Sequence, residues 1–267
     1  MAEKSIKIDT FYNISEEKIN FFWNNGFVHL EQVLSKEEME SYRKEIKKIA
    51  EIRNKNKEKE FGGAFHQALN IRFDSKIVKQ FCLSKRLGKI AADLMRVNAV
   101  RIFHEQSIFK NPGDTKTYWH QDQYFWPLDT NLHIGMWMPL IDCTKDMGLM
   151  RFVKNSHTMG DLIGNNISTK SENHFDDIIQ KNNLEVHEMD SYTAGDCTFH
   201  FGWTIHGAGL NTSKKVREAM VVTYYADGSR VGKLDTKDRK GDAELFLGDK
   251  KEGEIANDPM NTVVFQK

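Results

Sequence analysis

The sequence has few cysteines and no long apolar run. Its three cysteines, Cys82, Cys143 and Cys197, are scattered, and no CxxC spacing occurs. An odd, unclustered set argues against a disulfide framework and favours a reducing compartment. No apolar run approaches the length of about 20 residues that a membrane-spanning helix needs. We therefore expect neither a disulfide-stapled secreted domain nor a membrane-embedded protein.

Net charge is also lacking. Lys and Arg together number 38, and so do Asp and Glu. A balanced surface gives no electrostatic basis for binding nucleic acid or a membrane. Residues 1–9 are polar and lack the apolar core of a signal peptide. We expect a cytoplasmic protein whose partner is a small molecule, and the sequence leaves its oligomeric state open.

The hydrophobic pattern divides the chain into three parts. Residues 1–98 carry mainly helical patterns, one of which opens at the capping box Ser35–Glu38. From residue 99 to about 230 apolar residues alternate as in strands, and residues 231–267 form a charged, turn-rich extension. Because no repeat or linker splits the chain, we predict one domain over 1–267. It should be mainly β with flanking α, a sandwich or barrel with the N-terminal helices packed outside.

The strand candidates are separated by Gly, Asp and Asn. They cover residues 27–30, 100–109, 117–120, 133–140, 149–153, 184–189, 196–204 and 217–225. Residues 158–177 are polar and show no clear period. A structureless stretch of that length is usually functional or disordered, so we predict a mobile lid there, with an inert insertion as the alternative.

Three separated residues predict a metal centre. His120 and Asp122 flank Gln121 at the end of a strand candidate, where a side-chain period of two puts both on one face. His206 lies far downstream and should share a strand face with His200 and Thr204. Two imidazoles and a carboxylate suit non-haem Fe(II), because they leave coordination positions free. Zinc accepts the same donors and keeps an open water position, so it remains an alternative.

Arg217 lies on the next predicted strand. A buried guanidinium needs an anionic partner, and its planar fork fits a carboxylate. With His120, Asp122 and His206 as ligands and catalytic centre, Arg217 indicates an oxygenase that uses a carboxylate co-substrate. A structural Arg–Asp pair is the alternative.

In order and spacing, these motifs resemble the phytanoyl-CoA dioxygenase family of Fe(II)/2-oxoglutarate-dependent oxygenases. The matching stretches include Trp119-His120-Gln121-Asp122 and extend over residues 117–127, 137–142, 148–157 and 194–213, with Arg217 after them. The likeness covers about residues 15–227. It implies a double-stranded β-helix, or cupin-like jelly roll, with iron at one open end.

The resemblance also implies roles for residues around the iron. It implies Fe(II) as cofactor, 2-oxoglutarate and O₂ as co-substrates, and Arg217 as the partner of the distal 2-oxoglutarate carboxylate. Trp137 matches a tryptophan beside the co-substrate, and Gln106 a polar contact to co-substrate or substrate. Some relatives have a hydroxyl residue two positions after the distal histidine. Here that position is Ala208, and Thr204 and Ser213 are the candidates to replace the hydroxyl.

The resemblance further implies the type of reaction. Related halogenases have a small residue at the carboxylate position, whereas this chain has Asp122. Hydroxylation of an unactivated C–H, with release of succinate and CO₂, is therefore expected. Desaturation and oxidative cyclisation start from the same hydrogen abstraction and stay open. A zinc hydrolase and a non-catalytic jelly-roll binding protein are the alternatives of other classes.

Candidate substrate contacts are of two kinds. Aromatic or imidazole side chains near the predicted barrel mouth or interior are Tyr124, Trp126, His104 and His200, with jelly-roll core as the alternative for the aromatic ones. Basic residues that could bind a substrate carboxylate, phosphonate or phosphate are Arg72, Lys110 and Arg151, with a surface position as the alternative. No basic patch for the phosphates of coenzyme A is evident. We therefore expect a small polar or natural-product substrate.

Overall fold

Short strands and helices alternate along residues 8, 10–55, 57–59, 63–162 and 167–267, the part of the chain that the computed structural model describes. The helices there are α1 (Glu16–Asn25), α2 (Lys36–Asn54), α3 (Lys76–Cys82), α4 (Lys85–Met95), α5 (Thr169–Lys181) and α6 (Lys237–Phe246). The strands are β1 (Phe27–Leu30), β2 (His66–Leu69), β3 (Ala99–Lys110), β4 (Thr117–His120), β5 (His133–Pro139), β6 (Cys143–Thr144), β7 (Met150–Val153), β8 (Val186–Glu188), β9 (Ser191–Tyr192), β10 (Cys197–Phe201), β11 (His206–Ala208), β12 (Arg217–Ala226) and β13 (Val263–Gln266).

Two antiparallel sheets build the fold. The larger has the order β1-β10-β5-β12-β3-β13, with β2 also paired to β3, and the smaller has the order β4-β11-β7-β8. A separate ribbon joins β6 to β9. Every named strand pair is antiparallel, and neighbours in each sheet are distant in sequence. This arrangement is that of the double-stranded β-helix, so the predicted fold class is confirmed.

The larger sheet is buried on both faces because its side chains alternate between two cores. Met136 and Val222 pack with the N-terminal helices, whereas Trp137 and Val221 face the smaller sheet. Between the sheets these residues meet Phe152 of β7 and its apolar neighbours. Burial of apolar surface on both sides is the main stabilising term of such a layered fold. At one end, the layer between the two sheets leaves space for a cavity.

The N-terminal part forms the predicted outer helices but also contributes to the sheet. At the start of α2, the Ser35 hydroxyl accepts from the Glu38 backbone N–H, and the Glu38 carboxylate accepts from the Ser35 backbone N–H, which confirms the capping box. However, β1 and β2 lie in the larger sheet. The strand predicted over residues 27–30 is confirmed as β1. β2 was not predicted, so the larger sheet takes two strands from the part of the chain before residue 99.

The predicted strand over residues 196–204 is too long, and its facing pattern is wrong. β10 ends at Phe201 in the larger sheet, and β11 begins at His206 in the smaller one. The Thr204 hydroxyl donates to the carbonyl of Gly26 and holds the turn between the two strands. Two sheets, rather than one strand face, therefore bring His200 and His206 together.

The predicted loop over residues 158–177 is wrong where α5 begins at Thr169. Glu172 fixes this helix to the smaller sheet. Its carboxylate accepts hydrogen bonds from Lys116 Nζ at 2.6 Å, Arg151 Nη2 at 2.7 Å and the Trp119 amide at 2.7 Å. Residues 163–166 of the predicted lid lie outside the described residues.

The C-terminal extension, predicted as charged and turn-rich, contains α6, and it ends in β13, a strand that the mostly apolar residues 262–265 predict. β13 pairs with β3, and α6 packs against Phe103 and Trp126 through Ala243 and Phe246. The buried side chain of Asn261 connects α6 to β3. Its amide nitrogen lies 2.8 Å from the carbonyl of Phe246 and 3.1 and 3.3 Å from those of Ile102 and Phe103. The extension is thus an integral part of the core.

No helix in the described ranges is both long and apolar enough to cross a membrane.

Replacing Asn261 by Ala should lower the free energy of unfolding by about 2 kcal/mol, because buried carbonyls lose their donor. Denaturant unfolding would measure the change. Asn257→Ala, at an exposed position in the same segment, is the control and should have little effect. Equal stability of the two variants would contradict the structural role assigned to Asn261.

Candidate active site

A metal-binding geometry arises where β4 and β11 pair. His206 stands directly opposite His120 in this antiparallel pair, so both imidazoles leave the sheet at one point. Asp122 opens a short 3-10 turn (Asp122–Tyr124) immediately after β4. One ligand atom from each of the three side chains lies within 4.8 Å of the others. The structure therefore brings together the three residues that the sequence predicted as ligands.

Both imidazoles of this triad are oriented by backbone carbonyls. His120 Nδ1 lies 2.8 Å from the carbonyl of Tyr118, and His206 Nδ1 lies 2.9 Å from that of Thr204. A nitrogen facing a carbonyl carries the proton and leaves the other nitrogen as a lone-pair donor. Nε2 of each ring is the atom that faces Asp122, at 3.5 and 3.6 Å. The two Nε2 atoms are thus prepared as ligands for one cation.

A third imidazole touches the triad. His200 Nε2 lies 3.2 Å from Asp122 Oδ2, and its ring centroid is 4.2 Å from that of His206. Burial by itself would raise the pKa of the Asp122 carboxyl. The neighbouring imidazoles of His206, His120 and His200 outweigh burial and hold this pKa well below its ordinary value. The carboxylate is therefore ionised and available to a metal.

Arg217 is a buried cation without a counter-ion. It is 1% exposed, and its guanidinium makes no ion pair with any residue that the structure describes. Nη1 donates to the carbonyl of Gly148, while Nε has no partner among the described residues. The guanidinium carbon lies 5.3 Å from the centroid of the Trp137 ring. Burial lowers the pKa of Arg217 to about 10, which leaves it charged at neutral pH.

A cavity of about 260 Å³ connects the triad to Arg217. Its wall contains the three triad residues and several predicted contacts from the larger sheet, namely Trp137, Gln106, His104 and His200. Gln106 is hydrogen bonded to Gln67 of the neighbouring strand, which also lines the cavity. These predicted residues therefore share one space with Arg217.

The two hydroxyl residues predicted to compensate for Ala208 lie elsewhere. Thr204 holds the turn before β11, and the Ser213 hydroxyl donates to Asn211 Oδ1 at 2.7 Å. Neither lines the cavity. Thr117 does line it and is the register partner of Ala208 across the β4–β11 pair. The nearest hydroxyl thus comes from the neighbouring strand, which the sequence position of Ala208 does not reveal.

The predicted aromatic contacts also need correction. Trp126 is 4% exposed and its ring stacks on that of His133, with centroids 3.6 Å apart, in the core beside α6. Tyr124 packs its ring edge-on against Phe125 and does not line the cavity, whereas Phe125 does. The 3-10 turn after Asp122 determines which aromatic side chain faces inward. Sequence spacing gave the right segment but the wrong residues.

None of the predicted substrate-binding cations lines the cavity. Arg72 pairs with buried Glu105, and Arg151 binds Glu172 while its guanidinium lies 3.7 Å from the Trp119 ring centroid. Lys110 Nζ donates to the carbonyls of Thr115 and Gly209, both at 2.7 Å. Each cation is held by partners within the fold because it is buried. They are therefore unavailable to a ligand in the cavity.

The prediction omitted cavity residues from the C-terminal extension. Asp242, Leu245 and Phe246 of α6 form part of the wall. The surrounding sequence is highly charged and gave no helical signal beyond Ala243, Phe246 and Leu247. Those three apolar residues, at helical spacing, are the only local indication of a buried face.

The fold and the donors together define a jelly roll with a metal-binding triad and a buried arginine in one cavity. The chain belongs to the phytanoyl-CoA dioxygenase (PhyH) family, whose model matches residues 22–219. It is therefore an enzyme of the oxygenase type. No curated protein matches the chain by sequence.

Solved structures of similar fold include two enzymes from nogalamycin biosynthesis. The non-heme alpha ketoglutarate dependent carbocyclase SnoK from nogalamycin biosynthesis has a TM-score of 0.78 at 22% identity, covering 94% of this chain and 96% of SnoK. The corresponding epimerase SnoN has a TM-score of 0.77 at 19% identity, covering 93% of this chain and 97% of SnoN, and it has also been solved with Fe³⁺, alpha ketoglutarate and nogalamycin RO. EctD from S. alaskensis, with bound Fe, has a TM-score of 0.66 at 16% identity, covering 86% of this chain and 84% of EctD.

Asp122→Ala should weaken Fe(II) binding at least about 100-fold, because it removes one of three donors and the charge that balances the cation. Anaerobic calorimetric titration with Fe(II) would measure the affinity. Asp129→Ala, which removes an exposed carboxylate from the following segment, is the control and should bind as the wild type does. Unchanged affinity in Asp122→Ala would contradict the triad.

A second prediction concerns pH. Burial lowers the pKa of His133 well below its ordinary value of 6.5, so the folded protein keeps this imidazole neutral. Below about pH 6.5 the imidazole takes up a proton in the unfolded chain but not in the folded protein, so the free energy of unfolding falls as pH falls. His133→Phe removes this contribution. From pH 7.5 to pH 5.5 the variant should gain about 1 kcal/mol relative to the wild type.

Denaturant unfolding of the metal-free proteins at both pH values would measure this gain. A stability difference that does not change with pH would show that His133 is not held neutral in the folded state.

Proposed function

We propose that the protein is an Fe(II)/2-oxoglutarate-dependent dioxygenase that hydroxylates an unactivated C–H of a small polar substrate. The observation that carries the proposal is the unpaired guanidinium of Arg217, which lies in the same cavity as the triad. A buried cation without a counter-ion is costly unless a ligand supplies the anion. A dicarboxylate that reaches from the metal to Arg217 supplies it.

The donor set fits ferrous iron. The imidazoles of His120 and His206 and the carboxylate of Asp122 would hold the ion and would leave coordination positions free for a co-substrate. The carbonyls of Tyr118 and Thr204 already hold both rings in the required tautomer. When bound, iron and 2-oxoglutarate supply oxidising power from O₂ for C–H cleavage, with succinate and CO₂ as by-products. The protein supplies binding, orientation and exclusion of water.

Arg217 and its neighbours are suited to bind the far carboxylate of 2-oxoglutarate. Trp137 covers one side of the guanidinium, and the carbonyl of Gly148 fixes its orientation. Thr117, opposite Ala208, lines the same cavity and offers a hydroxyl where this strand pair would otherwise present only a methyl group. Gln106, paired with Gln67, offers an amide on the larger sheet. Together they orient the co-substrate along the cavity.

The two alternative functions, a zinc hydrolase and a non-catalytic binding protein, would require a different site. A zinc hydrolase needs a water position and a general base but has no use for an unpaired buried arginine beside the metal. A binding protein without catalysis needs no imidazoles held as lone-pair donors. Among the structural neighbours, SnoK is named a carbocyclase and SnoN an epimerase, both alpha ketoglutarate dependent. The product mass distinguishes the outcomes: one added oxygen for hydroxylation, two lost hydrogens for desaturation or cyclisation, and no change for epimerisation.

Arg217→Gln should weaken 2-oxoglutarate binding at least about 100-fold, because the charged partner of the far carboxylate is lost. The charge-transfer absorption of the anaerobic Fe(II) complex, titrated with 2-oxoglutarate, would measure the affinity. The metal-free variant should be as stable as the wild type or more so, since an unpaired buried charge is removed.

Arg230→Gln, at a surface arginine whose Nη1 donates to the carbonyl of Gly253, is the control and should keep wild-type affinity for 2-oxoglutarate. If Arg217→Gln binds 2-oxoglutarate as tightly as the control does, the proposed function is wrong.

A further inference from the structure

The cavity contains a second charge without a partner. Asp242 of α6 lines the cavity and makes no hydrogen bond or ion pair with the residues that the structure describes. Burial, followed by the nearby carboxylates of Asp238 and Asp122, raises the pKa of Asp242 to about 7. All three influences disfavour the ionised form, and no cation offsets them. The carboxyl group is therefore placed where an added positive charge would be strongly favoured.

Arg239, one helical turn before Asp242, is not available to balance its charge. Arg239 donates to the carbonyl of Tyr124 at 3.0 Å and pairs with Asp235 at 3.3 Å. Arg217, which also lines the cavity, is the group proposed to bind 2-oxoglutarate. The wall left for a substrate thus carries an acid and no Lys or Arg side chain from the described residues. This charge distribution is unfavourable for a substrate carboxylate, phosphonate or phosphate, the groups that the basic candidates Arg72, Lys110 and Arg151 could have bound.

The side chains around Asp242 suit a cation with an apolar body. Phe125, Leu245 and Phe246 line the same cavity and provide apolar and aromatic surface. His104 packs its ring against Phe246, with centroids 4.6 Å apart, and is 6% exposed. Its Nδ1 has no hydrogen-bond partner among the described side chains and backbone groups. Burial lowers the pKa of His104 to about 4, so the ring is neutral and able to accept a hydrogen bond.

We propose that the α6 side of the cavity is a subsite for a positively charged substrate group, an ammonium or a guanidinium, with Asp242 as its counter-charge. His104 accepts a hydrogen bond from this group, and Phe125 and Phe246 contact the adjoining apolar part of the substrate. The proposal rests on the proposed function, because it assumes that the substrate enters the cavity of the triad. It narrows that function to oxidation of an amine or guanidine compound.

A cation fits this subsite better than a neutral hydroxyl compound. A hydroxyl group can donate a hydrogen bond to Asp242 but leaves the negative charge of this half-buried carboxylate uncompensated, which is unfavourable. An ammonium removes that cost and also interacts favourably with the faces of aromatic rings. An anion would add a repulsive charge beside Asp242 and Asp122. The expected order of affinity is therefore cation, then neutral compound, then anion.

Three probes that share one ring test this order: benzylamine, benzyl alcohol and phenylacetate. Calorimetric titration of the wild-type protein, with and without anaerobic Fe(II) and 2-oxoglutarate, should show benzylamine binding at least about tenfold more tightly than the other two. A change in the charge-transfer absorption on addition of benzylamine would place it beside the iron. Asp242→Asn should remove the preference for the amine.

Glu244→Gln is the matched control, since it removes one negative charge from an exposed position on the same helix. It should keep the preference. Equal affinity for the three probes, no binding of benzylamine by the wild type, or an unchanged preference in Asp242→Asn would overturn the proposal. If the iron absorption never forms but the amine preference is present and depends on Asp242, the proposed function fails and the cation subsite stands.

Discussion

The antiparallel pairing of β4 with β11 is the constraint on which the site depends. This pair lines up His120 and His206, residues 86 positions apart (206 − 120), and each ring is turned by a carbonyl of its own segment. Asp122 then needs only the short 3-10 turn after β4 to complete the donor set. A shift of register by one residue would turn one imidazole to the opposite face of the sheet. The metal site is therefore a property of strand pairing, and the two packed sheets hold that pairing in place.

Charges without partners distinguish the cavity from the rest of the protein. Elsewhere in the described chain the charged groups of the interior have partners, as Arg72 has Glu105, Arg151 has Glu172 and Lys110 has two backbone carbonyls. The exceptions that line the cavity are buried Arg217 and half-buried Asp242, neither of which has an oppositely charged partner among the described residues. Folded proteins usually pair buried charges because desolvation is costly. Two opposite exceptions in one cavity are best explained by two ligands of opposite charge, a dicarboxylate co-substrate and a cationic substrate.

Sequence reasoning succeeded where a local pattern determines the structure. The capping box at Ser35, the change of period near residue 99 and the triad all depend on short-range spacing or on side-chain chemistry. Arg217 was predicted from its place on the strand after His206 and Trp137 from the family resemblance, and the structure places both in the cavity with the triad. The jelly roll was predicted correctly, and the three residues predicted as ligands lie together because their side-chain chemistry could be read from short motifs.

Prediction failed where contacts between residues distant in sequence determine which side chains face the cavity. The inward residue after Asp122 is Phe125 rather than Tyr124 because a 3-10 turn changes the side-chain direction. The hydroxyl opposite Ala208 comes from Thr117 through strand register. Basic residues expected to bind substrate are neutralised by acids or carbonyls that no local pattern reveals. The charged segment that forms α6 gave no sign that one of its acids would face the cavity.

α6 lies outside the part of the chain that matches the family. The family match ends at residue 219, whereas Asp242, Leu245 and Phe246 lie beyond it. The triad and Arg217 thus lie within the span that matches the family, and one wall of the cavity comes from the segment that follows it. Substitutions on the cavity side of α6 can therefore change which molecules fit without moving the strand pair that holds the triad.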